Sequence, residues 1–255
     1  NHKFISILRS FSDLKMNALR KLQENYCEIR ANSKLSCLFN AVCKHCENDV
    51  IIMHDSNDEQ YENALRMSNA KLKDLFNNNT LVEAHEITKI DGKLSIIYPH
   101  TETLYDYRVR YLVPICNIRK LIYKIMEKLL ILGASNLAFI KLEPFNITFD
   151  KFQNVKLMGL MNIVNIESRY ENCQNKTKYQ NDHEECEYYS RQNMSINLGR
   201  LAYFLATGNI ASNIPRMSEI NHEGLKDFIW DLLHPNVAED FFKIITHQFM
   251  LNSEL

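Results

Sequence analysis

The stretch from Asn136 to Met161, NLAFIKLEPFNITFDKFQNVKLMGLM, restricts the fold more than any other part of the chain. Its apolar runs are short, rich in aromatic and β-branched residues, and separated by the polar group Asp150 to Asn154. Runs of that length bounded by turn residues read as strands. The stretch is therefore expected to be a strand-loop-strand hairpin that turns at Lys151 to Asn154.

The chain of 255 residues is 45% hydrophobic and 24% charged, enough to bury the core of one large domain or two lobes. Its 30 Lys and Arg nearly cancel its 31 Asp and Glu. No overall field favours nucleic acid, and none is expected as a partner. No run approaches the roughly 20 apolar residues of a membrane span. The start, NHKFISILRSF, is too charged for a signal peptide, so the expected compartment is the cytoplasm, with secretion left open because a signal could have been trimmed. Cys43-Lys-His-Cys46 lacks the second pair of a zinc ribbon, and reduced structural thiols in a strand pair are the favoured reading.

Taken in order, Phe4, Ile7, Leu8, Phe11, Leu14, Ala18 and Leu22 form one apolar stripe on a helix. Leu38 to Cys43 and Asp49 to Met53 read as paired strands joined by a turn at Lys44 to Asn48. A helix is expected over Asp58 to Phe76, with Tyr61, Leu65 and Leu72 on one face. Asp91-Gly92 supplies a tight turn between strands at Leu81 to Ile90 and Lys93 to Tyr98. Beyond Pro99 the pattern becomes helical: Ile115 to Leu130 is amphipathic and is expected to end at Gly133. The polar segment Glu167 to Glu187 reads as a loop, Ser195 to Ala206 as a helix buried all round, and Leu225 to Leu233 and Val237 to Met250 as further helices.

The pattern K-L-x-P-x-N at Lys141 to Asn146, the apolar run after it, and Val155-Lys-Leu-Met158 resemble the catalytic and metal-binding loops of protein kinases. Leu198-Gly199, Thr207-Gly208 and the final His247-Gln-Phe249 extend the resemblance, which covers about Leu35 to Met250. It implies an α+β, bilobal protein-kinase-like fold. A small β-rich N-lobe with one helix (35–98) and a larger α-helical C-lobe (99–255) would follow an N-terminal helical extension (1–34).

The resemblance also locates what is missing. The triplet H-R-D, whose aspartate accepts the substrate proton, falls on Phe139, Ile140 and Lys141; Asn146 survives. The triplet D-F-G, whose aspartate holds magnesium, falls on Gly159, Leu160 and Met161. In the small lobe the phosphate-pairing lysine falls on Met53, and Ile51 takes the place of the alanine over the adenine ring, where its bulk would crowd a nucleotide. No glycine precedes Gly92, so no glycine-rich loop can cover phosphates. The lysine's glutamate partner has no secure position; Asn69 and Glu62 are the nearest choices. Tyr189-Ser-Arg-Gln192 stands where A-P-E would, with glutamine for glutamate, and the arginine this glutamate would pair is absent around Pro235 to Phe242. Both partners of that buried pair are lost together, leaving no orphan charge.

These substitutions imply a catalytically inactive pseudokinase that uses neither metal nor cofactor and acts as a protein-binding scaffold or allosteric regulator. Two other readings stand beside it: a nucleotide-binding pseudokinase switch, and an atypical transferase with a remodelled cleft using Lys141, His54 or Glu143. The candidate partner surface is the helix face of Phe4, Leu8, Phe11 and Leu14. A second is the acidic loop Asp182 to Tyr189, where Tyr188 and Tyr189, with Tyr179 upstream, are open to phosphorylation.

Overall fold

The computed structural model describes residues 26–31, 38–45, 47–55, 69–90, 93–139, 142–150, 154–165, 182–210, 216–234 and 241–251. The chain is a mixed α+β protein that divides into two compact units, 1–62 with 82–101, and 63–81 with 102–255.

The first unit is built on a five-stranded antiparallel sheet of β1 (Tyr26–Ala31), β2 (Leu38–Cys43), β3 (Asp49–Asp55), β4 (Glu86–Ile90) and β5 (Lys93–Pro99), in the order β1-β2-β3-β5-β4. The two expected hairpins are present, with Ala41 opposite Val50 and Glu86 opposite Ile97. Alternation sends Phe39, Ala41, Val50, Ile52 and Ile97 to one face, where Tyr26 joins them and Ile29 and Cys43 pack alongside. The Cys43 position thus suits a structural thiol. The opposite face is equally apolar, with Ile51, Met53, Ile96 and Tyr98 all buried.

β1 corrects the expectation of a helical extension over 1–34. Between Cys27 and Arg30 the strand carries one residue more than its partner, a bulge. The bulge lets Tyr26 and Ile29, three apart, pack on one core, so the two-residue alternation that marks a strand is hidden. Tyr26 also donates its hydroxyl hydrogen to Glu86 Oε2 at 3.0 Å. Across a flat sheet β1 and β4 would lie four strand spacings, about 19 Å, apart. Two side chains cannot span that distance, so the sheet must curl until its outer strands approach.

The second unit begins with α1 (Asn69–Asn77), the described part of the helix expected from Asp58. Asn79 adopts a left-handed φ of 58°, and the Thr80 and Leu81 N–H groups close on the Leu75 carbonyl. The chain then bonds forward, with Leu157 N–H donating to Thr80 O at 2.8 Å. This stitch puts α1 with the second unit, where the expectation had placed it in the small lobe.

α2 (Leu104–Arg110) was not anticipated, although Thr103-Leu-Tyr-Asp106 is a capping box: Asp106 N–H donates to Thr103 Oγ1 and Thr103 N–H to Asp106 Oδ2. α3 (Ile115–Ala134) buries Ile118, Ile122, Ile125, Met126, Leu129 and Leu132. It runs past Gly133, and the left-handed turn falls at Asn136, φ 58°. α4 (Asp182–Thr207) starts well before Ser195, so Asp182 to Tyr189 is helical and not a loop. Its second half is buried almost all round through Leu198, Leu201, Ala202, Tyr203, Phe204 and Leu205, with Arg200 exposed, as its composition predicts. α5 (Glu223–Leu233) packs on it, with Ser195 Oγ donating to the Leu232 carbonyl at 3.1 Å. Where one helix was expected to span Val237 to Met250, the described residues form two short ones, α6 (Phe241–Ile245) and α7 (Gln248–Leu251).

Candidate functional site

Two short ladders frame the Asn136 to Met161 stretch. β8 (Ile147–Phe149) and β9 (Val155–Leu157) form the anticipated hairpin, with Asn154 N–H bonded to Asp150 at its turn, and β6 (Glu102–Thr103) adds to the edge of β8. β7 (Leu137–Phe139) pairs instead with β10 (Ile163–Asn165), Phe139 opposite Ile163. Crossing from one ladder to the other leaves two irregular segments, Leu142 to Asn146 and Met158 to Asn162. Each contains a single turn of 3₁₀ helix.

The side chain of Asn146 ties these segments together. Its Oδ1 accepts the Glu143 N–H at 3.2 Å, and its Nδ2 donates to the Met158 carbonyl at 3.1 Å. The Met158 N–H closes the ring by donating to Asn146 O at 2.7 Å. The residue is buried, so each bond forms where water cannot replace it. From below, Tyr105 of α2 stacks on Phe145 at 4.3 Å and on Phe204 of α4 at 5.9 Å, pinning the loop to the helical core.

Gly159 follows with φ 117°, a conformation that L side chains rarely adopt. A Cβ built there would lie 2.9 Å from Asn146 Nδ2, 3.0 Å from Asn162 Nδ2 and 3.8 Å from Phe139 Cζ. Asn162 was not singled out by the sequence; only its three-residue offset from Gly159, closed by an Asn162 N–H to Gly159 O bond at 2.9 Å, could have pointed to it.

The structure thus gathers Phe139, Asn146, Gly159 and the buried Leu160, with Met161 in the same 3₁₀ turn. Ile140 and Lys141 lie outside the described residues, as do Phe4, Leu8, Phe11 and Leu14 of the candidate partner helix. Tyr189 to Gln192 lies within α4, not at a segment end leading into a helix. In the first unit, Ile51 and Met53 sit two residues apart on one buried face of β3, in register with Tyr98 and Ile96. That face offers phosphate no cation from either position.

Chemically, the gathered residues make a clamp: an amide whose oxygen and nitrogen both serve the backbone, a glycine, and apolar packing. Among the described residues no group of three or more His, Cys, Asp or Glu is placed to hold a metal ion. No helix among them is long and apolar enough to cross a membrane.

If Asn146 is a clamp, truncating it removes two buried bonds and orphans the Glu143 N–H and the Met158 carbonyl. Asn146→Ala is expected to cost about 2–3 kcal/mol. Asn146→Asp, which turns the donor facing Met158 O into an acceptor, is expected to cost at least as much. Urea denaturation checks both; near-neutral variants would remove the clamp role.

No family model matches this chain, and no curated protein matches it.

Proposed function

We propose that this protein is a catalytically inactive, protein-kinase-like domain that serves as a protein-binding scaffold or allosteric regulator. What supports the fold is the pairing of a five-stranded antiparallel sheet in one unit with a largely helical second unit whose small ladders carry the Asn146 loop. The observation that carries the functional reading is Gly159. At the position where the resemblance calls for a magnesium carboxylate, the backbone has φ 117°, and the amides of Asn146 and Asn162 occupy the space of a side chain.

The substitutions on β3 fit the same reading. Ile51 and Met53 extend an apolar, buried row, so a phosphate placed against them would lose its hydration with no charge in return. Selection for a partner surface, with no selection for phosphoryl transfer, would permit such replacements, since exchanging buried polar groups for well-packed apolar ones is often neutral or stabilising.

Purified protein with ATP and magnesium or manganese is expected to show no thermal shift and no phosphate incorporation. Incorporation that disappears in both Lys141→Ala and Asn146→Ala would overturn inactivity. A divalent-independent shift with ATP would instead favour the nucleotide-binding switch.

A further inference from the structure

Three histidines stand in the C-terminal part of the second unit, and their ring nitrogens do opposite things. His222, the residue before α5, accepts the Leu225 N–H on Nδ1 at 3.0 Å. His247, at the break between α6 and α7, accepts the Phe249 N–H on Nδ1 at 3.1 Å. A backbone N–H can only donate, so both Nδ1 atoms must be without a proton. His234 is the reverse: its Nδ1 lies 3.1 Å from the Trp230 carbonyl, which can only accept, and its ring stacks on Trp230 at 4.0 Å.

Phe249 is the shared contact. Its ring lies 6.1 Å from that of His222 and 5.1 Å from that of Phe228, with the Arg119 guanidinium 4.9 Å above it; Phe228 in turn lies 5.1 Å from His247. The charged groups on the surrounding elements are Arg119, Lys120, Lys124, Glu127 and Lys128 of α3, Arg200 in the second half of α4, Arg216 and Glu219 of the turn before His222, Glu223, Lys226, Asp227 and Asp231 of α5, and Lys243 of α6. Glu223 pairs with Lys226, and Asp231 Oδ2 is 3.3 Å from His247 Nε2. His222 has no ion pair among the described residues.

We propose that His222 and His247 form an acid-released clasp. As neutral rings they hold the starts of α5 and α7 against Phe249. Histidine takes up a proton within about pH 5–8, and the charged ring has no acceptor nitrogen. Acidification therefore breaks both bonds and loosens the starts of α5 and α7, while the Phe228–Phe249 ring contact remains. The sign is fixed by the geometry: each bond is present on the alkaline side of its ring's titration and absent on the acid side. The two differ in compensation. His247 exchanges its bond for an ion pair with Asp231, whereas His222, whose clasp partner Phe249 already carries the Arg119 cation, gains nothing comparable. His234 keeps its bond in both states and is a built-in control.

The test is two-dimensional NMR of the full chain from pH 8 to pH 5, following the three imidazoles and the backbone amides. The Leu225 amide signal is expected to move with the His222 ring and the Phe249 amide with the His247 ring. Loss of each bond should raise hydrogen exchange there about fivefold after correction for the intrinsic rate. The His234 titration should leave the His234 amide where it is. A double variant, His222→Asn with His247→Asn, keeps an acceptor near each Nδ1 position without a titrating group, and should abolish the response. Amides that stay fixed while the rings titrate, rings that do not titrate in this range, or a double variant that retains the response would each overturn the clasp.

Discussion

Gly159→Asp, which would place a carboxylate where the proposed kinase resemblance calls for a magnesium ligand, is expected to destabilise the second unit by about 3–5 kcal/mol, combining a strained backbone with overpacking. The strain arises because φ 117° is available to glycine and not to aspartate. The overpacking arises because the new Cβ meets two amide nitrogens at 2.9 and 3.0 Å, and one of them, on Asn146, is held by its bond to Met158 O. Gly159→Ala isolates these steric terms and is expected to show most of the loss. Chemical denaturation of both variants measures the cost, and a thermal shift with magnesium measures any return. Magnesium that stabilised Gly159→Asp but not Gly159→Ala would mean that the loop opens to a metal, and the closed-clamp account would then fail.

The second large effect is expected at Arg108, a buried residue of α2 that closes the C-terminal end of α4. Its Nε donates to the Leu205 carbonyl at 2.7 Å, Nη2 to Ala206 O at 3.2 Å and Nη1 to Tyr111 O at 3.4 Å. Carbonyls at a helix end have no partners within the helix and carry partial negative charge, so a guanidinium fork satisfies both needs. Burial pulls the Arg108 guanidinium below its ordinary range. At neutral pH it remains charged. Gly208 turns away directly beneath it at φ 79°, its missing Cβ leaving room for the guanidinium at 3.3 Å. Arg108→Ala is expected to cost about 3–4 kcal/mol by urea denaturation. Arg108→Lys, a point charge unable to reach two carbonyls in one plane, should recover about half of that or less. A change within about 0.5 kcal/mol for Arg108→Ala, the ordinary range of surface substitutions, would show that the cap is dispensable.

Arg108 was hidden from a reading of the sequence, and the reason is physical. In Leu104-Tyr-Asp-Tyr-Arg-Val-Arg110 the first of two arginines looks like any surface charge, because its value comes from carbonyls almost a hundred residues away. Features that depend on neighbours in sequence were easier. The hairpins β2–β3, β4–β5 and β8–β9 follow from alternation and turn residues, and α3 and the buried half of α4 from apolar spacing. Where local signals were corrupted the reading failed. No strand was read at Tyr26 to Ala31, because the bulge sets Tyr26 and Ile29 three apart on one core and hides the two-residue alternation, and α2 announced itself only through the Thr103 to Asp106 cap. The candidate site divides in the same way. Asn146 and Gly159 stand out by motif spacing, but the closeness of Asn162 to the vacant Cβ position, and the use of both ends of the Asn146 amide, exist only once the two ladders cross.

The Tyr26 to Glu86 bond bears on the order in which the first unit assembles. The partners are 60 residues apart, so the bond can form only after the intervening strands have paired, and closing so long a loop before them would cost entropy with little return. The local hairpins can zip early, while the curl that brings β1 to β4 is expected to come late. Tyr26→Phe should then leave the folding rate of the unit nearly unchanged and show its effect in unfolding, as expected for a contact absent from the transition state.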